Sequence, residues 1–142
     1  MFLVKLWRGD SGRIYNFRIL FSKKSIPDGQ GGVYVFVKRR FLIFPKILYI
    51  GKATNFRERL LGHEKWAKAF WMGATERHLH YIDREDDRNY VEEDLIRRYN
   101  PPMNKMMVIA DAKARKTAAK KAYINEKPKR GLFGWWEDLT PT

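Results

Sequence analysis

Two tyrosines stand fifteen residues apart, in Gly32-Val33-Tyr34 and Tyr49-Ile50-Gly51, and Lys52, Arg59, His63, Glu92 and Asn104 follow in order. These are the residue types that phosphodiester hydrolysis with one metal ion needs. An attacking water must lose a proton, the charge growing on the phosphorus oxygens must be stabilised, and the leaving oxygen needs a proton or a cation. Arg59 offers a permanent cation with a planar fork for phosphate oxygens. His63 can act as acid, base or phosphate donor near neutral pH. Glu92 can hold Mg²⁺ (or Mn²⁺) if waters and substrate oxygens complete the shell. A phenol with a reference pKa of ~10 is a poor base, so Tyr34 is plausible in that role only inside an electropositive pocket, which Lys52 and Arg59 would create.

Taken singly, each residue has a plainer explanation. Strand tyrosines are more often core than catalytic, helix carboxylates are mostly solvated, and a lone arginine or histidine is more often a surface or structural group. His78 and His80 are spaced for a strand, lack a convincing third ligand, and are read as structural or surface residues. The weight therefore rests on the ordered set.

The totals agree with a polyanionic partner. The chain has 142 residues, enough for one compact domain with an appended element, and 44% of them are hydrophobic. Its net charge is +13, and aromatics, 15% of the residues, are interleaved with the basic ones. That combination favours nucleic acid over an acidic membrane. The absence of cysteine excludes disulfides, thiolate metal sites and a cysteine nucleophile. The apolar run at residues 2–7 is too short for a signal peptide and no span reaches membrane length, so a cytoplasmic protein with no membrane partner is expected.

Hydrophobic periodicity supplies the elements that must carry the set. Residues 2–7 and the alternation at Tyr15, Phe17, Ile19 and Phe21 flank Gly9-Asp10-Ser11-Gly12, which predicts a hairpin. After the break at Asp28-Gly29-Gln30-Gly31-Gly32, a strand is predicted over Val33–Val37, with the valines on one face and Tyr34 and Phe36 on the other. A long basic and aromatic connection, 38–46, leads to a second strand over Ile47–Ile50, on which Ile47 and Tyr49 are expected to point the same way. Antiparallel pairing would bring Tyr34 and Tyr49 together. Asn55 and Glu58 resemble a capping box, starting a helix that puts Arg59 and His63 one turn apart. A short helix around Trp66–Trp71 and a third strand over Arg77–Ile82 follow. The clearest helix is Asp86–Tyr99, with Val91, Leu95 and Tyr99 at helical spacing and Asn100-Pro101-Pro102 as its stop. On it Glu92 borders the buried stripe, while Glu93 and Asp94 are expected to face solvent. A solvated Ala/Lys-rich helix is predicted over Ala110–Tyr123, in a stretch (105–130) with nine basic and two acidic residues.

Together these motifs resemble the GIY-YIG endonuclease family, which includes the N-terminal nuclease domain of the bacterial excision-repair incision protein and phage homing endonucleases. Gly32-Val33-Tyr34 is similar to the first motif, with Val for the usual Ile, and Tyr49-Ile50-Gly51-Lys52-Ala53 matches the second. Arg59 lies ten residues after the second tyrosine, as in the family, and His63 follows where several members have a histidine. Glu92, Leu95-Ile96, Pro101 and Asn104 reproduce the run around the family's metal-binding glutamate. The resemblance covers residues 32–104; no single motif is specific, but five ordered and spaced elements are.

The resemblance implies an α+β fold, with a three-stranded antiparallel sheet flanked by helices over 32–108. To it are added an N-terminal hairpin extension (1–31) and a basic helical tail with an aromatic end (109–142). It further implies that Tyr34 activates water directly or through its neighbours, that Glu92 binds one divalent metal, and that Arg59 and Lys52 stabilise the phosphorane-like charge. Tyr49 and His63 would hold or relay protons and phosphate, and Asn104 would fix the site from behind. DNA, double-stranded or structured, is the expected partner, contacted by Lys38, Arg39, Arg40, Lys52, Arg57, Lys113, Arg115, Lys116, Lys120 and Lys121. The alternative is a non-catalytic nucleic-acid-binding module on a retired nuclease fold. Trp135 and Trp136 are candidates for a protein contact, or for packing on the chain's own hairpin.

Overall fold

Valines at 33, 35 and 37 alternating with Tyr34 and Phe36 give a strand that is buried on both faces, and the sheet is built around it. A computed structural model describes residues 3–41 and 44–126 of the chain. Five strands, β1 (Val4–Arg8), β2 (Ile14–Leu20), β3 (Gly32–Arg40), β4 (Phe44–Ala53) and β5 (Glu76–Tyr81), form one antiparallel sheet in the order β1-β2-β5-β3-β4. Four helices accompany it: α1 (Phe56–Leu60), α2 (Glu64–Trp71), α3 (Glu85–Tyr99) and α4 (Pro102–Glu126). The fold class is α+β, as expected, but the sheet is five-stranded. Arg18, Ile19 and Leu20 of β2 pair with Leu79, His78 and Arg77 of β5, so the hairpin expected as an extension continues the same sheet. Its apolar residues Trp7, Tyr15 and Phe17 are buried with Val33, Val35, Val91 and Leu95, which gives the hairpin its reason to dock.

The sheet separates two apolar layers. On one face Tyr34, Phe36, Tyr49 and Leu79 pack with Phe56, Leu60 and Ala69 of α1 and α2. On the other, the β3 valines, Ile47 and Ile50 pack with Val91 and Leu95 of α3. The predicted division of β3 into a valine face and an aromatic face holds. The predicted partnership of Ile47 and Tyr49 does not. Phe36 pairs with Tyr49 and Val37 with Ile47, so Leu48 is an extra residue, a β-bulge that puts Ile47 and Tyr49 on opposite faces. The 38–46 connection is mostly strand: β3 runs to Arg40 and β4 begins at Phe44.

Asp94 also departs from expectation. Its side chain is buried, and its carboxylate accepts the Ser11 N–H, the Ser11 hydroxyl and the Tyr15 hydroxyl, each at 2.7 Å. Burial opposes its ionisation, but these hydrogen bonds outweigh that and hold its pKa below the usual carboxylate range. Burial and the same carboxylate push Tyr15 up to about 12. This contact ties α3 to the hairpin turn.

Residues 1–107 form one compact unit and residues from Val108 a second. α4 starts at Pro102, whose missing N–H suits a first helical position, and runs longer than predicted. Its side chains are exposed from Val108 to Asn125, as expected of a solvated helix, and Lys113, Arg115, Lys116, Lys120 and Lys121 lie there. The aromatic end with Trp135 and Trp136 lies outside the described residues. No described helix is long and apolar enough to cross a membrane.

Candidate active site

Among the described residues β4 lies at the sheet edge, and one side of its backbone has no strand partner. Asn104, in the first turn of α4, occupies that side. Its Oδ1 accepts the Ile50 N–H and its Nδ2 donates to the Ile50 carbonyl, both at 2.9 Å. A side-chain amide thus completes the ladder between Tyr49 and Gly51. Asn104→Ala is expected to cost about 1–2 kcal/mol, measured as a lower thermal midpoint, because both backbone groups lose their partner.

The Tyr34 side chain is fully buried and forms the hub of the aromatic face. Its hydroxyl lies 3.0 Å from His63 Nε2 and within hydrogen-bonding reach of Arg59 and Tyr49. The rings of Tyr34 and Tyr49 are 6.0 Å apart, and His63 stands edge-on to Tyr34 at 6.0 Å. Arg59 and His63 do not share a helix. α1 begins as predicted, with the Asn55 side chain accepting the Arg57 N–H, but stops after five residues, and the chain turns at Gly62 with φ 69°. His63 then caps α2: its Nδ1 accepts the Lys65 N–H at 3.0 Å. Two short helices, not one, bring the pair to Tyr34.

That cap fixes the protonation pattern. Burial, followed by the Arg59 and Lys65 charges, pushes His63 down to about 4, so the ring is neutral at pH 7. With Nδ1 accepting, the proton sits on Nε2, which donates to the Tyr34 oxygen. The Arg59 charge lies within reach of the same oxygen. Burial and Tyr49 raise the Tyr34 pKa despite Arg59, so Tyr34 remains a phenol. Lys65 Nζ donates to the Tyr49 hydroxyl at 3.4 Å and lies 5.1 Å from the ring centroid. Lys65 was not anticipated; its place two residues after the cap is the only signal in the sequence.

Gly51 is set by this hub. A Cβ there would sit 2.5 Å from the Tyr34 hydroxyl. Gly51→Ala is therefore expected to displace the phenol and to destabilise the fold by about 1–3 kcal/mol, with thermal denaturation as the check.

Glu92 lies across β4 from this group. Its half-buried carboxylate is 3.6 Å from Lys52 Nζ, and Asn89, one turn earlier on α3, accepts from the same ammonium. Burial raises the Glu92 pKa more than Lys52 lowers it. Glu93 is exposed and paired with Arg97, so the expectation that Glu92 and not Glu93 borders the core holds. Asn89 went unread, although its spacing of three from Glu92 places both on one helix face. The two halves meet at a cleft of about 360 Å³ lined by Lys52, Ala53, Asn55, Glu58, Arg59 and Arg88 among others. Tyr34, Tyr49, Arg59 and His63 thus converge, and Glu92 reaches the cleft through Lys52.

A multidentate metal cage is not built here: among the described residues no three His, Cys, Asp or Glu side chains gather. One partly desolvated carboxylate beside an open cleft fits a hard cation that keeps most of its waters. Of the proposed DNA contacts, Arg57 is exposed on α1 and Arg40 at the end of β3. Arg39, another of them, is paired: its guanidinium forks onto Glu76, with Nη2 to Oε1 at 2.5 Å and Nε to both oxygens at 3.1 Å. His78, fully buried, accepts from Trp7 Nε1 at 2.9 Å and donates to Glu76 at 2.8 Å, consistent with a structural histidine. Compared with protein-family models, curated proteins and solved structures, the chain gives no match.

Proposed function

We propose that this chain is a metal-dependent DNA endonuclease of the GIY-YIG type. One observation carries the reading: Arg59, His63 and Tyr49 meet at the buried Tyr34 hydroxyl, beside a cleft that Arg59 shares with the Lys52–Glu92 pair. A divalent cation held by Glu92 would supply Lewis acidity and lower the pKa of its waters. Arg59 and Lys52 offer cations to a phosphate in the cleft. Tyr34, kept protonated, does not take the water's proton as a phenolate. It accepts a hydrogen bond from His63 and stands beside the Arg59 charge that faces the cleft. Water activation therefore runs through the neighbours of Tyr34, one of the two routes the resemblance allows.

The second reading, a non-catalytic binding module, draws support from Lys52, whose ammonium already neutralises Glu92. A cleavage screen over linear, branched and flapped DNA with Mg²⁺ or Mn²⁺ separates the two. The nuclease reading expects metal-dependent cutting that Arg59→Ala suppresses. Salt-sensitive, metal-independent binding with no cutting of any substrate would favour the module.

A further inference from the structure

The β3–β4 hairpin carries a second basic surface at the end of the sheet opposite the cleft. Lys38, Arg40, Lys46, Phe44, Leu48 and Met72 line most of a groove of about 460 Å³; among the described residues its lining has three cations and no carboxylate. Lys38 and Lys46 are directly opposed across the two strands, a like-charge pair that destabilises a sheet unless something neutralises it. Phe44, opposite Arg40, is 70% exposed, and Trp71, the chain neighbour of Met72, is 87% exposed. Large exposed rings beside a cluster of cations suit a partner that has both flat apolar faces and negative charge.

We infer that this groove binds an unpaired stretch of nucleic acid, with a base stacked on Phe44 and the backbone phosphates on Lys38, Arg40 and Lys46. Duplex DNA hides its base faces, so a stacking platform selects single strand. The inference rests on the nucleic-acid-binding part of the proposed function and not on cleavage. It narrows the substrate class to DNA with a single-stranded segment next to the cut. Tyr34, Phe36, Lys38 and Arg40 alternate along β3 toward the same face. Six residues of strand separate the hub from the groove by about 20 Å, or about six stacked nucleotides at the spacing of one strand.

The test measures fluorescence anisotropy of the full chain, in EDTA, with a labelled oligothymidine and with a duplex of equal length. Phe44→Ala is expected to weaken single-strand binding about tenfold and duplex binding by less than about twofold, with Phe44→Trp restoring the parent value. Lys46→Ala should weaken both and flatten their salt dependence. An unchanged single-strand affinity in Phe44→Ala would overturn the inference. Equal weakening on both probes would also overturn it, marking a duplex-backbone contact. So would competition by polyglutamate matching that by oligothymidine, marking an acidic-protein site. EDTA removes cleavage from the readout, so a failed nuclease assay leaves this result standing. Because Phe44 is exposed, an unchanged thermal midpoint is expected for its variants.

Discussion

Glu92→Gln is expected to lower the single-turnover rate of metal-dependent DNA cleavage by about 100-fold or more, leaving the protein folded and able to bind DNA. The substitution keeps the shape of the side chain but removes the one charged oxygen donor proposed for the metal. Three measurements separate this from damage to the fold. Burial raises the Glu92 pKa, with Lys52 only partly opposing it, so the carboxylate is less comfortable folded than unfolded at neutral pH. The thermal midpoint of the variant should then be equal to or above that of the parent. DNA affinity in EDTA should hold or rise, because a negative charge is lost beside Lys52 and frees it. Cleavage within about threefold of the parent rate would sink the catalytic assignment, since loss of a sole ligand cannot be so cheap.

Glu76→Ala is expected to cost about 3 kcal/mol, lowering the thermal midpoint by about 10 °C, the largest stability loss among these substitutions. Glu76 is nearly fully buried and holds Arg39 and His78 together. Removing it leaves the Arg39 fork and the His78 N–H without their acceptor. Although burial opposes ionisation, the His78 and Arg39 hydrogen bonds bring Glu76 down to about 2. His78, which accepts from Trp7 and donates to Glu76, is held neutral by burial.

The pH dependence follows with a definite sign. Glu76 is depressed when folded, so its contribution is complete above the unfolded carboxylate pKa of ~4.3 and disappears as pH falls toward 2. His63 binds its proton more weakly folded than unfolded, so stability also drops as pH falls from ~6.5 toward 4. Urea denaturation should show decreasing stability in two stages on acidification. In Glu76→Ala the stage below pH ~4.3 should shrink. An unaltered acid limb would show that the Glu76 network contributes little.

Much of this was legible before any coordinates, for identifiable reasons. Strand β3, the Asn55 cap and the boundaries of α3 follow from local patterns whose period or capping chemistry lies within a few residues. The meeting of Tyr34, Tyr49, Arg59 and His63 was expected from the ordered motifs, although two short helices deliver it where one was read. What escaped depends on distant partners. Asp94 looks like any helix carboxylate until Ser11 and Tyr15, some eighty positions earlier, come to it. Arg39 reads as a DNA contact because nothing near it announces Glu76. Likewise, the added strands of the sheet depend on β2 meeting β5, and no turn signal reports that pairing.

The bulge at Leu48 makes the hub a matter of parity. A strand sends successive side chains to alternate sides, so each residue gained or lost inverts every position beyond it. Leu48 supplies the single odd step that lets Ile47 stay under α3 while Tyr49 turns to Tyr34. Losing one residue there would leave the Tyr-Ile-Gly text intact while exchanging the sides on which its phenol and its isoleucine emerge. In this chain the same three letters place a phenol at the site only when the residue count before them is odd in the right place.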